Sequence, residues 1–383
     1  MRFGGKRESE RDLNWKVKSS NLVIDSIRSG SMQEHFPDVF DFTEKHTEKD
    51  TDQIPHKRPR HKPDQPTTPR KDYWDSTWGR MLIRDKDRLL TQPQSKEAKL
   101  FRRRFRLPPK LFFEVFVKQI EEIFDHDVGN QYRFRVPAPI KALIVLRILG
   151  RDAKCDDCVE FSMVAESSCN RIFHIFLEKY SANNYNKYVY FPDPTTEAGR
   201  AELAQIMESY RLLSFTGCVG SLDATHVKWE KCDKEWKWRC NGKEGYPTVA
   251  FQCVVSHTRR VYHVSKAFCG AENDLTTIRK CDEIRDALFN KYKDVEFVLY
   301  DAAGNPFVVK GAYFLSDNGY PDWRSLIRPI NEPQSNSEVY FAEFAESVRK
   351  DIECFFGITK ARWRFLKNAI QYHSPTAISN AFR

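Results

Sequence analysis

The chain has 383 residues, of which 40% are hydrophobic and 30% are charged, and its formal net charge is +9. No run of about 18 apolar residues occurs, which excludes an ordinary transmembrane helix, and the charged residues 1–18 lack the apolar core of a secretory signal. The ten cysteines are scattered through apolar segments, which is typical of reduced, mostly buried thiols in a cytosolic or nuclear protein.

The positive charge is concentrated at the start of the chain. Residues 1–110 hold 26 Lys and Arg residues against 17 Asp and Glu, whereas residues 111–383 hold 36 of each. A basic arm on a neutral body suits a polyanion such as nucleic acid, because each cation near a phosphate releases condensed counterions. A solvated tail that only aids solubility is the alternative interpretation.

Residues 1–72 are predicted to form a disordered basic tail. They are polar, few of their apolar residues recur at a helical or strand period, and they end in the proline-punctuated stretch 54–71. A short basic cluster in that stretch predicts nuclear localisation, although such clusters are also common by chance. The cluster consists of Lys57, Arg58, Arg60 and Lys62.

Residues 73–212 are predicted to form a helical region that resembles a DNA-binding domain. Apolar spacing indicates helices over 111–124, 140–149, 167–180 and 196–212, with Ser167 as a candidate N-cap. The helix at 167–180 follows a short helix and a turn, and these two helices would form a helix-turn-helix-like pair.

Candidate DNA contacts fall in two places in this region. Arg171 and His174 would face a DNA groove if the pair is a helix-turn-helix, and a plain three-helix bundle is the alternative. Arg102, Arg103 and Arg104 stand between aromatic residues and could contact phosphate. Alternatively, their aliphatic stems cover apolar surface.

Residues 213–383 change character and are predicted to form an α/β domain. Apolar runs indicate strands at 215–229, 248–256 and 261–268 and shorter strands at 296–300 and 312–316. Helical spacing covers 275–289 and 341–363. Adjacent strands followed by alternating helices and strands are typical of a layered α/β or α+β fold.

Three acidic residues in this domain are candidate metal ligands. Asp223 lies inside an apolar strand, where an unpaired carboxylate would cost several kcal/mol. Asp317 follows the strand at 312–316, and Glu353 lies in the last helix. Such acids at separate elements could hold two Mg²⁺ ions, because hard cations prefer carboxylate oxygens. Alternatively, Asp317 is a turn residue and Glu353 forms a helix salt bridge with Arg349.

Six motifs in order resemble the endonuclease domain of PIF/Harbinger-type transposases, especially their plant-transposon-protein branch. The resemblance covers roughly residues 100–370. The motifs are GSLDATH (220–226), WEKC (229–232), NGKEG (241–245), ND (273–274), YFLSDNGYP (313–321) and VRKDIECFFGITKARW (348–363).

The resemblance implies an RNase H-like DDE endonuclease domain over 213–383. Asp223, Asp317 and Glu353 would then be the catalytic residues and would bind two Mg²⁺ (or Mn²⁺) ions for DNA strand cleavage and strand transfer. The implied partners are DNA, as transposon ends and target, a Myb-like protein and further copies of the chain. The implied location is the nucleus.

The sequence departs from the family pattern at three points. Ala224 replaces the usual Gly, Cys354 replaces the usual Arg, and the closing apolar helix of the family does not follow, so a C-terminally truncated copy is expected. No proposed metal ligand is lost. The alternatives are a domesticated, catalytically silent derivative that binds DNA or protein, and a metallohydrolase that acts on another substrate.

Two further residues are candidate auxiliaries of this site. Asp274 is interpreted mainly as the N-cap of the helix that begins at Leu275, with a metal role as the alternative. His226 would orient Asp223 or contact phosphate, or else form a structural hydrogen bond.

A tryptophan-rich segment and the cysteines complete the candidate sites. Lys231, Lys237 and Arg239 are interleaved with tryptophans and could bind DNA together with them, or belong to an insertion that packs on the core. The lone Cys155–Cys158 pair has no second pair at zinc-ligand spacing, so the spacing does not favour zinc.

Overall fold

The computed structural model describes residues 72–125, 136–371 and 375–383. The predicted basic tail lies outside the described residues except for Asp72, and so does its import cluster. The described residues form two compact units. One unit comprises residues 186–358, and the other comprises the described parts of 72–185 and 359–383.

The first stretch of the chain is helical, as predicted. Ser76 and Ser95 cap two of these helices through side-chain oxygens that accept backbone N–H groups. A π-helical segment, Phe112–Phe116, interrupts the predicted helix at 111–124. The α-helices are α1 (Thr77–Thr91), α2 (Lys96–Phe105), α3 (Pro109–Leu111), α4 (Val117–Asp125), α5 (Ala138–Arg151), α6 (Cys155–Ser162) and α7 (Glu166–Tyr188).

The predicted helix-turn-helix-like pair consists of α6 and α7. Met163, at φ 59°, ends α6 in the left-handed conformation. Helix α7 begins at Glu166 and continues to Tyr188, so Ser167 lies inside the helix and the N-cap assignment is wrong. The buried face of α7 includes Ile172 and Phe173.

The unit of residues 186–358 has mixed α/β architecture, as predicted. Its sequence-predicted strands are present, but the predicted helix at 275–289 is broken at Cys281, whose ψ of 88° is not helical. A π-helical segment, Ala287–Lys291, follows. The elements are α8 (Glu197–Arg211), β1 (Cys218–Lys228), α9 (Lys234–Cys240), β2 (Thr248–Val255), β3 (Val261–Val264), β4 (Phe268–Cys269), α10 (Asp274–Arg279), α11 (Asp282–Asp286), β5 (Glu296–Tyr300), β6 (Pro306–Lys310), β7 (Tyr313–Leu315), β8 (Leu326–Ile327) and α12 (Asn336–Arg362).

The main sheet has the strand order β3-β2-β1-β7-β8, and β4 also pairs with β2. Strand β2 is antiparallel to both β1 and β3, whereas β1 is parallel to β7 and β7 to β8. Every residue of β2 is buried, which indicates that both faces of the sheet are covered. Strands β5 and β6 form a separate hairpin.

The core of this unit joins the sheet to helices before and after it. Leu222 of β1 and Phe314 of β7 are fully buried in one cluster with Ile278 of α10 and Phe341 of α12. Burial of such large apolar side chains contributes roughly 1.5–3 kcal/mol each. The packing therefore fixes α12, which carries Glu353, against the strands that carry Asp223 and Asp317.

The C-terminal helices belong to the helical unit. They are α13 (Arg364–Lys367) and α14 (Pro375–Phe382). Phe365 of α13 packs edge-on against Phe173 of α7, with ring centroids 5.6 Å apart. Within the described part of the chain, no helix combines the length and the apolar character needed to cross a bilayer.

Candidate functional site

Two of the predicted acids lie at equivalent register positions, Asp223 within β1 and Asp317 two residues past the end of the neighbouring parallel strand β7. Ser221 of β1 pairs with Leu315 of β7. Asp223 stands two residues after Ser221, and Asp317 stands two residues after Leu315. Because side chains alternate with a period of two along a strand, both carboxylates leave the sheet near the same point.

Asp223 is held in a largely buried position. Its side chain is 16% exposed, its Oδ1 accepts the Ala224 N–H at 2.7 Å, and its Oδ2 accepts a hydrogen bond from Arg349 at 2.8 Å. Burial raises the pKa of Asp223 to about 6, against the lowering effect of Arg349, and the charges of Asp317 and Asp274 raise it further. Arg349 therefore only partly offsets the cost of burying this carboxylate.

Glu353 reaches the same arginine from helix α12. Nη2 of Arg349 donates to Oε1 of Glu353 at 2.7 Å, which confirms the predicted helix salt bridge, and also donates to Glu346 at 2.7 Å. The Arg349 side chain is only 7% exposed. The Arg349 guanidinium thus connects Glu353 to Asp223, and these two acids lie far apart in the sequence.

Asp317 combines the predicted turn role with a place beside the other acids. Its Oδ1 accepts the Gly319 N–H at 2.9 Å. A Cβ atom built on Gly319 would lie 3.2 Å from Oδ1 of Asp317 and 3.2 Å from Oδ2 of Asp274. Both carboxylates therefore border the same small space, which the absence of a side chain at Gly319 keeps open.

The interpretation of Asp274 as a helix cap is wrong by one residue. Asn273 is the N-cap of α10, with extended backbone angles, and its Oδ1 accepts the Thr276 N–H at 2.9 Å. Asp274 is the first helical residue, and its carboxylate does not serve as this cap. Burial raises the pKa of Asp274, and the charge of Asp317 raises it further. We call Asp223, Asp274, Asp317 and Glu353 the acid cluster.

A buried polar network beneath the acid cluster escaped the sequence analysis. Gln252 of β2 donates to Thr277 at 2.6 Å and weakly to Asp274 at 3.5 Å, and it accepts the Tyr320 hydroxyl at 2.6 Å. These contacts position Asp274 relative to the sheet. A glutamine within the otherwise apolar run TVAFQCVV was the available signal, because buried amides require hydrogen-bond partners.

His226 lies beside the site but faces away from Asp223. His226 is three positions after Asp223 on β1, an odd spacing, so strand alternation places their side chains on opposite faces of the sheet. Nδ1 of His226 lies 3.1 Å from the Thr248 hydroxyl on the adjacent strand. This contact is the structural hydrogen bond that the sequence analysis left as one alternative.

The tryptophan-rich segment presents cations and one strongly exposed ring. Lys231, Lys237 and Arg239 are exposed, and Trp238 is 74% exposed. The Arg239 guanidinium lies 5.8 Å from the centroid of the Trp238 ring. In contrast, Trp229 is 1% exposed, so it belongs to the core and is not available for stacking.

The candidate DNA contacts of the helical unit differ in exposure. Arg103 and Arg104 of α2 are exposed, whereas Arg102 is half-buried and donates to the Pro93 carbonyl at 3.3 Å. Arg171 and His174 lie on the exposed face of α7. The exposed members of this set are sterically accessible to a phosphate backbone.

The donor chemistry of the acid cluster fits hard divalent cations. Carboxylate oxygens, which the four acids supply, are the ligands that Mg²⁺ and Mn²⁺ prefer, but among the described residues no three of these acids bring their oxygens within 4.8 Å of one another. Asp223 and Asp274 have raised pKa values, caused first by burial and then in part by neighbouring negative charge. Divalent cations would relieve that repulsion.

The comparisons with known proteins give one family. A family model described as plant transposon protein matches residues 190–383, a range that contains the whole acid cluster. No curated protein and no solved structure matches the chain.

Proposed function

Because the chain belongs to the plant transposon protein family, we propose that it is a PIF/Harbinger-type DDE transposase, a metal-dependent DNA endonuclease. The observation that carries the proposal is that one buried arginine, Arg349, bonds two distant acids, Asp223 and Glu353, and that Asp317 lies close enough to Asp223 to raise its pKa. Asp223 and Asp317 stand at matched register positions of β1 and of the segment that follows β7.

The architecture of the sheet supports an RNase H-like fold for this unit. Asp223 lies on the central strand β1, and Asp317 directly follows the adjacent parallel strand β7. Helix α12 packs into the same core and supplies Glu353. Rigid strands and a packed helix hold catalytic groups more accurately than loops do.

Asp223, Asp317 and Glu353 would hold two Mg²⁺ or Mn²⁺ ions, with Asp274 beside them. Ions bound there would lower the pKa of water and stabilise the oxygens that enter and leave during in-line displacement at phosphorus. Arg349 orients the carboxylates of Asp223 and Glu353 before DNA binds. Gly319 leaves room beside Asp317 and Asp274.

The proposed reaction has two steps. Water first cleaves a phosphodiester bond at the transposon end and leaves a 3′-hydroxyl group, which then attacks a phosphodiester of target DNA. Exposed cations of the helical unit, such as Arg103 and Arg171, would bind the DNA backbone. The Myb-like partner, assembly with further copies and the nuclear location remain parts of this proposal that rest on the family resemblance.

The decisive experiment is a nicking assay on labelled duplex DNA with Mg²⁺. The variants Asp223→Asn, Asp317→Asn and Glu353→Gln should each cleave about 100-fold more slowly or worse, since even outer-shell changes at metal sites cost 10–100-fold. Asp322→Asn is the matched control, because Asp322 is an exposed acid near Asp317 that pairs with Arg328. Cleavage at the normal rate by folded Asp223→Asn protein would overturn the proposal.

A catalytically silent, DNA-binding derivative is the second candidate function. The observation that favours it is the ion pairing of Arg349, which already neutralises Asp223 and Glu353. Calorimetric titration with Mg²⁺ separates the two functions. Salt-sensitive DNA binding without detectable Mg²⁺ binding would support the silent derivative and exclude the nuclease.

A further inference from the structure

We propose that His263, Cys281 and Glu283 form a second metal site, one for a thiophilic divalent cation such as Zn²⁺. His263 lies on β3, Cys281 stands at the break between α10 and α11, and Glu283 lies in α11. The three residues are separate from the acid cluster in sequence and differ from it in chemistry. The site does not depend on the proposed nuclease function.

The donor atoms lie at distances that one ion can bridge. Nε2 of His263 is 3.2 Å from Sγ of Cys281, which is 3.8 Å from Oε2 of Glu283. All three donor atoms lie within 4.8 Å of one another. Tetrahedral zinc, with bonds of about 2.0–2.3 Å, separates sulfur from nitrogen or oxygen ligands by roughly 3.6 Å. The two pairs that include the sulfur would reach this separation with shifts of a few tenths of an ångström.

Two of the three donor residues are buried, and the third is exposed to solvent. His263 is 4% exposed and Cys281 2% exposed, whereas Glu283 is exposed. The Phe191 ring stacks on the imidazole at 5.8 Å and an interplanar angle of 9°, which restricts its rotation. One thiolate, one imidazole and one carboxylate form a donor set that zinc accepts.

The ligand types favour Zn²⁺ or Co²⁺ over the Mg²⁺ proposed for the acid cluster. Thiolate and imidazole are soft to intermediate donors that bind Zn²⁺ or Co²⁺ well and Mg²⁺ poorly. A second thiol contact exists between Cys240 and Cys269, whose sulfur atoms are 3.1 Å apart. Among the described residues, however, only His263, Cys281 and Glu283 bring three ligand atoms of His, Cys, Asp or Glu within 4.8 Å of one another.

The proposed ion would also explain why the helix predicted over 275–289 breaks at Cys281. Cys281 interrupts 275–289 at the point where its sulfur meets His263. A metal bound there would tie β3 to the junction of α10 and α11. Without a metal, the same contact is a buried hydrogen bond between thiol and imidazole, and the experiment must separate these two states.

The test uses Co²⁺ as a spectroscopic probe for Zn²⁺ on the full chain, stripped of metal and kept reduced. We expect a thiolate-to-Co²⁺ charge-transfer band, with one equivalent bound per chain and displaced by Zn²⁺. Cys281→Ser should remove the band. Cys218→Ser, a control at another fully buried cysteine, and Cys240→Ser should both retain it.

Two further variants keep the outcome clear. Glu283→Gln, at an exposed position, should weaken Co²⁺ binding about tenfold without unfolding the chain, even if Cys281→Ser does not fold. Asp223→Asn should leave the band unchanged, so failure of the nuclease proposal would not affect this result. The absence of a charge-transfer band in the unmodified chain would overturn the second metal site. So would unchanged Co²⁺ binding by Glu283→Gln together with a band that survives Cys281→Ser.

Discussion

Arg349 donates a 2.8 Å hydrogen bond to Asp223, although 126 residues separate them in the chain. The same guanidinium bonds Glu346 and Glu353 within α12. The arginine side chain is 7% exposed, and that of Asp223 is 16% exposed. This buried cation therefore compensates a group of carboxylates that would otherwise repel one another.

Arg349→Met should destabilise the protein strongly when divalent ions are absent. Removing one partner of a buried ion pair costs about 3–5 kcal/mol, because the other charge remains buried. Mg²⁺ should restore part of the loss by replacing the missing positive charge. Urea unfolding in EDTA and in Mg²⁺ measures both effects.

The control for this variant is Arg328→Met, since Arg328 pairs at 2.8 Å with Asp322, whose side chain is 54% exposed, and, among the described residues, has none of the four acids of the cluster among its salt bridges. Any loss of stability in this control should be the same with and without Mg²⁺. An equal response of both variants to Mg²⁺ would contradict the assignment of Arg349 as the counter-ion of the site.

Asp223→Asn should stabilise the metal-free protein at neutral pH, because Arg349 keeps Glu346 and Glu353 as partners and is not left unpaired. Burial raises the pKa of Asp223 in the folded state to about 6 from an ordinary value of 3.8. Its contribution to stability is therefore fully present below the unfolded pKa and is lost as pH rises through 6. The gain at about pH 7.5 should be on the order of 1–3 kcal/mol, and it should shrink towards about pH 4.

Thermal melts in EDTA across this pH range test the prediction. Asp322→Asn is a suitable control, because the side chain of Asp322 is 54% exposed, and it should show little pH-dependent difference. A lower melting temperature for Asp223→Asn than for the unmodified chain at neutral pH would refute the argument.

Asn273→Ala and Asp274→Asn should separate helix capping from the chemistry of the site. Asn273→Ala removes the hydrogen bond to the Thr276 N–H and should cost about 1 kcal/mol of stability, with little change in Mg²⁺ affinity. Asp274→Asn keeps the shape but removes a charge beside Asp317, so it should weaken Mg²⁺ binding and leave the cap intact. Unfolding curves and Mg²⁺ titrations of the two proteins give the answer, and the reverse pattern would return the cap to Asp274.

Trp238→Ala should weaken binding of single-stranded DNA. A base stacked on an aromatic ring contributes about 1–3 kcal/mol, which corresponds to roughly 5- to 150-fold in affinity. Trp238 is 74% exposed, so its removal should not change the melting temperature. Tyr300→Ala, at a 49% exposed aromatic, serves as the control in fluorescence anisotropy titrations. Equal affinities of the two variants would remove Trp238 from the DNA-binding surface.

Local structure was largely predictable from the residues. The periodicity of 196–212 predicts α8, which runs from Glu197 to Arg211 with Thr196 as its N-cap, and the apolar run at 215–229 predicts β1. The salt bridge between Arg349 and Glu353 was predictable too, because residues four apart share one helix face. The expected burial of most cysteines is confirmed, since seven of the ten are buried.

Contacts between distant segments were not predictable in this way. Nothing in the spacing of the sequence indicates that Arg349 reaches Asp223, that Gln252 supports Asp274, or that Cys281 meets His263. The exchange of Asn273 for Asp274 as the cap shows a smaller failure of the same kind. Both residue types cap helices well, and the packing of α10 on the sheet decides which of them is used.

The residues of the chain alone predict most of its helices and strands and single out the four acids, because hydrogen bonds within an element and its apolar period act over a few residues. Which charges face one another depends on the tertiary structure. Strand order and helix packing bring together residues more than 100 positions apart, and burial then sets the electrostatic cost of each charge. For this protein, that step brought the Arg349 guanidinium among the acids and moved the cap role from Asp274 to Asn273.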